Sequence, residues 1–198
     1  SVWVGSSVNN SGLISSGANT AVAAASVINS GTIGGYDTVV AASGNVSNIN
    51  SGNISGYNVN VTAGNISGNG TISGINNITM NASAGDLTAG GIKAGNITLG
   101  ALNTLNVIGN VNATGGDVKL AGGVISNSGN ITASNNIGAS SAAVNNNGTM
   151  WANNSVNITG NLNNAGNISA NNVIVSNNLS NAGNITAKTV SGDLSVWV

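Results

Sequence analysis

The chain has 198 residues, of which 40 are Asn and 30 are Gly, and it contains no Pro, Cys, His, Phe, Arg, Glu or Gln. Without Cys or His there is no disulfide framework, no ordinary zinc, haem or iron–sulfur site, and no Ser-His-Asp or Cys-His nucleophile, so cofactors and metals are expected to be none. Three Lys against four Asp give a net charge of −1, too little positive charge to neutralise phosphates or hold an anionic membrane, so nucleic acid is not expected as a partner.

The opening, Ser1-Val2-Trp3-Val4, carries no basic n-region and no long apolar h-region. No apolar stretch approaches the ~20 residues of a membrane helix, so no membrane insertion is expected. From there on the chain repeats. The phrase small-Gly-x-apolar-Ser/Thr recurs, and its apolar residue forms a column: Ile14, Ile33, Ile54, Ile72, Ile92, Val111, Ile131, Met150, Ile168 and Ile185. The nine steps from Ile14 to Ile185 average about 19 residues, within the range of a solenoid repeat. A second column is expected at Val22, Val39, Val59, Ile78, Ile97, Val118, Ile137, Val156, Val173 and Val190, and a looser third at Val27, Val46, Ile66, Leu102, Val124, Val144, Leu162 and Leu179. Between columns apolar and polar residues alternate, as in Val59-Asn60-Val61-Thr62, which is the two-residue period of a strand.

A unit so short cannot close a core alone and must stack on neighbours. The expected fold is therefore all-β, a parallel β-helix (β-solenoid) of about ten rungs, one domain spanning 1–198. At ~4.8 Å per rung it would be about 48 Å long. Like-on-like stacking of Asn, Ser and Thr is expected to add stability, with amide and hydroxyl ladders on the outside. Helix is disfavoured, because Glu, Arg and Gln are missing and Gly recurs.

Little in this pattern carries chemistry. The acids Asp37, Asp86, Asp117 and Asp193 are separated by more than one rung each, which argues against a glycosidase-like carboxylate pair and against an enzyme. Three of them sit in a Gly-Asp-apolar phrase that reads as turn chemistry, the carboxylate bonding its own backbone. Gly-rich pieces such as Gly68-Asn69-Gly70 lack the Lys and helix of a phosphate loop. Seventeen Asn-x-Ser/Thr sequons occur. Most follow automatically from an inward residue flanked by outward Asn and outward Ser or Thr; Asn53, Asn130, Asn157, Asn167 and Asn184 are the candidates for Asn-linked sugar. The residue after each first-column position is Ser15, Gly34, Ser55, Ser73, Lys93, Asn112, Thr132, Trp151, Ser169 and Thr186, a polar file like that of an ice-binding solenoid but interrupted by Lys93 and Trp151.

The phrase Ala/Ser-Gly-Asn-Ile-Ser/Thr-Ala, at Ser128 to Ala133, Ala165 to Ala170 and Ala182 to Ala187, resembles the repeats of filamentous haemagglutinin-like proteins, surface adhesins exported by two-partner secretion. The likeness runs roughly from Gly52 to Leu194. It implies a right-handed coil, export to the cell surface or beyond, and roles in attachment to host cells or glycans and in biofilm.

The chain closes on Ser195-Val196-Trp197-Val198, matching its opening tetrapeptide. The match suggests one period of a longer fibre, either a covalent tandem repeat or a subunit polymerising head to tail. Val2, Trp3, Val4, Val196, Trp197 and Val198 are then the candidate axial contacts, since unpaired terminal rungs and exposed Trp side chains favour another copy. The expected function is a non-enzymatic extracellular structural fibre whose partner is itself; the alternatives are a surface adhesin and an ice-binding solenoid.

Overall fold

A computed structural model describes residues 1–195, with side chains through Gly192. The fold is an all-β parallel β-solenoid of about ten turns, each close in length to the repeat of the sequence, and the described residues contain no helix. Each turn lays down three strand segments, and each segment pairs in parallel with its counterpart one turn later: Ser7–Asn10 with Ser26–Asn29, Leu13–Ser15 with Thr32–Gly34, Thr20–Ala24 with Asp37–Ala42. In some turns two segments fuse into one long strand, as in Asn53–Ala63 and Thr71–Ala82.

The first face carries the isoleucine file. Ile14, Ile33, Ile54, Ile72, Ile92, Val111, Ile131, Met150, Ile168 and Ile185 are register partners at every step. Ile14 and Ile185, in the outermost turns, pack half-buried against the core, and the others are buried. Two residues further on, Ala94, Ala113, Ala133 and Ala152 form a buried alanine file. Aliphatic groups repeated at one inward position remove the same apolar area from water in every turn, and each fully buried side chain is worth roughly 1.5–3 kcal/mol.

The second face departs from expectation in the first turns. Its leading file runs Thr20, Thr38, Val59, Ile78, Ile97, Val118 and on to Val190. Val22 belongs instead to a neighbouring inward file, Val22, Val40, Val61, Met80, Leu99, Leu120, Ala139, Ile158 and Val175. Val39 points outward and is 38% exposed. Two threonines take the places expected to be valines. Both are buried, and their hydroxyls donate to carbonyls at the corner of the following turn, Thr20 Oγ1 to Gly34 O at 2.7 Å and Thr38 Oγ1 to Ser55 O at 2.6 Å. A hydroxyl so satisfied costs little to bury.

The third face is also corrected. Its leading file is Val8, Val27, Val46, Ile66, Leu87, Leu105, Ile125, Val144, Leu162 and Leu179. Leu102 lies on a corner and is 62% exposed, and Val124 faces out beside the buried Ile125. The expected spacing slips here because the corner between Thr71–Ala82 and Leu87–Ala89 is wider than its neighbours.

Candidate functional site

The most distinctive feature of this solenoid is an amide ladder that lies inside it, where the sequence pattern points to ladders on the outside. Two residues after the third-face file, where an apolar side chain is the ordinary choice, stand Asn10, Asn29 and Asn48 in the first turns and Asn127, Asn146, Asn164 and Asn181 in the last ones. Six of these seven are buried. Within each block the Nδ2 of one Asn donates to the Oδ1 of the next: Asn10 to Asn29 at 2.8 Å, Asn29 to Asn48 at 2.7 Å, and Asn127 to Asn146, Asn146 to Asn164 and Asn164 to Asn181 at 2.7 Å each. Between the blocks the position falls to Gly68, Ala89 and Val107.

Each amide also ties a corner together. Asn146 Nδ2 reaches Gly148 O in its own turn and Asn167 O in the next, both at 3.3 Å, and Asn164 makes the same pair of contacts with Gly166 O and Asn184 O. No buried side-chain nitrogen or oxygen among the described residues is left without a partner. Burying amides is costly unless they are paired in this way. A signal for this ladder is present in the sequence: Asn-x-Gly-x-apolar occurs at Asn10, Asn29, Asn127, Asn146, Asn164 and Asn181, though the exposed Asn50 also fits it and the buried Asn48 does not, and the repeat phrase small-Gly-x-apolar covers only its second part. External ladders exist as well, for example Asn65 to Asn45 at 3.1 Å and Asn130 to Asn110 at 3.0 Å.

The carboxylates serve the corners, in a manner different from the expected bond to their own backbone. Asp117 Oδ1 accepts from Asn135 Nδ2 at 2.9 Å, and from Asn136 N and Asn136 Nδ2 at 3.1 Å, all one turn ahead. Asp86 Oδ1 accepts from Thr104 N at 3.0 Å, and Asp37 Oδ1 from Asn58 Nδ2 at 2.9 Å. The side chain of Asp193 lies outside the described residues. Removing the clasp in Asp117→Ala is expected to destabilise the chain by about 1–2 kcal/mol, measurable as a lower urea midpoint. No group of three or more acidic or metal-ligating side chains gathers among the described residues.

The candidate sugar-bearing asparagines face outward on their strands. Asn130, Asn157, Asn167 and Asn184 are exposed and Asn53 is half-buried. Asn184 Nδ2 donates to Asn167 Oδ1 at 3.0 Å, and Thr71 Oγ1 to Asn53 Oδ1 at 3.3 Å. The file after the isoleucines runs in register from Ser15 to Thr186 with Lys93 and Trp151 in it.

Of the candidate axial residues, Val2 pairs with Val22 and is half-buried, while Trp3 pairs with Ala23 and is 77% exposed. Val4 is also exposed, and its N–H donates to Ala23 O at 3.0 Å. Val196, Trp197 and Val198 lie outside the described residues. Among the described residues, the strands of the first turn, Val2–Trp3, Ser7–Asn10 and Leu13–Ser15, pair with those of the following turn. Compared with family models, curated proteins and solved structures, the chain matches none.

Proposed function

We propose that this chain is a structural rod that works outside the cell without catalysing a reaction, a fibre or filament segment lengthened by stacking turn upon turn. The observation that carries the reading is the unbroken register of the isoleucine file through every described turn. Each turn is thereby a template for the next. Interior turns pair on both sides through one repeated backbone pattern, and a strand edge of this kind recruits a further strand wherever it is left open. That strand can come from the same chain or from another copy. Trp3 beside it supplies a large apolar side chain that association would cover.

Negative-stain microscopy of the purified chain tests this. Filaments longer than the ~48 Å of ten stacked turns are expected. Trp3→Asp combined with Trp197→Asp should reduce them to single rods. Wild-type protein that stays as single rods at every concentration, or long filaments that persist unchanged in the double variant, would overturn axial docking through these residues.

A further inference from the structure

We propose that Tyr36 and Tyr57 form a modification site, at which one-electron oxidation driven by hydrogen peroxide joins them as dityrosine and fastens two consecutive turns covalently. This goes beyond the mechanical reading and does not rest on it. The chain contains two tyrosines, and the fold brings both to one corner. Tyr36 N–H donates to Ala18 O and Tyr57 N–H to Tyr36 O, so backbone pairing sets the second tyrosine above the first. Their ring centroids are 5.1 Å apart and their planes 5° from parallel.

The corner holds this pair in file yet leaves it open to solvent. Each tyrosine follows a glycine; a Cβ at Gly35 would meet Ala18 O at 2.7 Å and one at Gly56 would meet Asn58 O at 2.8 Å, so the main chain closes tightly beneath the rings. Ile75 follows Gly74, the register partner of Gly56, and stands on the far side of Tyr57. The facing surfaces of the rings cover one another, but Tyr36 is 57% and Tyr57 36% exposed, so their outer edges meet water. Among the described residues no other oxidisable side chain shares the corner. The chain has no Cys, Met80 and Met150 are buried in the core, and Trp3 and Trp151 lie in the strands Val2–Trp3 and Thr149–Ala152. A radical formed on one tyrosine therefore has the other as its neighbour.

Removing one electron and one proton from a phenol leaves a radical whose spin is shared by the oxygen and the ortho carbons of the ring. Two such radicals join through ortho carbons, and the two ring hydrogens at the new bond pass to the oxygens, which restores both hydroxyls. The two electrons and two protons removed overall reduce one hydrogen peroxide to two waters, with a haem peroxidase as the one-electron carrier. Coupling needs the rings edge to edge, which a turn about χ2 supplies, because that torsion is broad in tyrosine. Two radicals held side by side in one molecule also avoid the entropy of bringing separate chains together.

Treatment of the purified chain with a haem peroxidase and hydrogen peroxide, at low protein concentration, tests the site. The monomer band of a denaturing gel should become fluorescent, lose the mass of two hydrogens and release dityrosine on acid hydrolysis. With two tyrosines in the chain, dityrosine within a monomer is the Tyr36–Tyr57 bond. Tyr36→Phe and Tyr57→Phe keep a stacked ring but remove one phenol, and each should abolish the monomer signal. The urea midpoint of the oxidised wild type should rise above that of untreated protein, since a cross-link between turns restricts the unfolded chain. The treated Tyr36→Phe variant should show no such rise. The proposal is overturned if monomers yield no dityrosine under conditions that couple free tyrosine, or if the cross-linked monomer has a lowered midpoint. Dityrosine confined to dimers would assign the corner to contact between copies and refute the bond between turns.

Discussion

Asn146→Val is expected to lower stability by about 2–4 kcal/mol, read as a fall in the urea midpoint. Asn146 sits in the middle of the second block of the buried ladder, accepting from Asn127 and donating to Asn164, both at 2.7 Å. Valine fits the space, since Val107 holds the same file one turn below Asn127. Shape is therefore not the source of the cost. Asn164 Oδ1 would lose its donor, Asn127 Nδ2 would keep only Thr149 O, and the carbonyls of Gly148 and Asn167 would lose their side-chain contact. Stranding polar atoms where water does not reach costs the desolvation of each, whereas an apolar residue with apolar neighbours strands nothing. A loss below about 1 kcal/mol would show that the ladder contributes little beyond filling space.

Gly148→Ala carries the second large effect, about 3 kcal/mol or more. A Cβ at Gly148 would be driven into the carbonyl oxygen of Gly129 in the turn below, with the carbonyl carbons of Ser128 and Gly129 also in the way at 2.8 and 3.0 Å. These are main-chain atoms. Gly148 is held by its N–H to Asn127 O at 3.0 Å and by its carbonyl to Asn167 N at 2.9 Å, so neither turn can retreat without breaking pairing on both sides. Gly129, Gly166 and Gly183 repeat the same close approach. Gly138 is the contrast: no atom lies within 4 Å of where its Cβ would stand, and Gly138→Ala should change the midpoint hardly at all. Equal effects at the two positions would contradict the packing account of the corner.

The recurrence of Gly in the repeat phrase is thus legible in the sequence, and its cause lies in how tightly turns approach at that corner. The isoleucine file is equally plain, because its inward position carries only aliphatic side chains over ten turns. Thr20 and Thr38 are hidden, since a rule that follows apolar residues steps past a threonine whose hydroxyl is satisfied by a nearby carbonyl. The wide corner before Leu87 shifts the third file, and an even spacing then selects Leu102 in place of Leu105. The interior amides escape for a different reason. Asn is ordinarily a surface or turn residue, and the spacing of Asn to the following Gly is an imperfect mark of the buried members, since the exposed Asn50 shares it and the buried Asn48 lacks it. The tyrosine corner has no periodic signal, because Tyr36 and Tyr57 are a single pair set one irregular turn apart.

In both blocks of the ladder every amide nitrogen faces the carboxyl-terminal end and every amide oxygen faces the amino-terminal end. The side-chain dipoles therefore add along the axis rather than cancel. A turn inserted upside down would set oxygen against oxygen in a dry interior, so the molecule holds an internal compass that distinguishes its two directions wherever two amide-bearing turns meet.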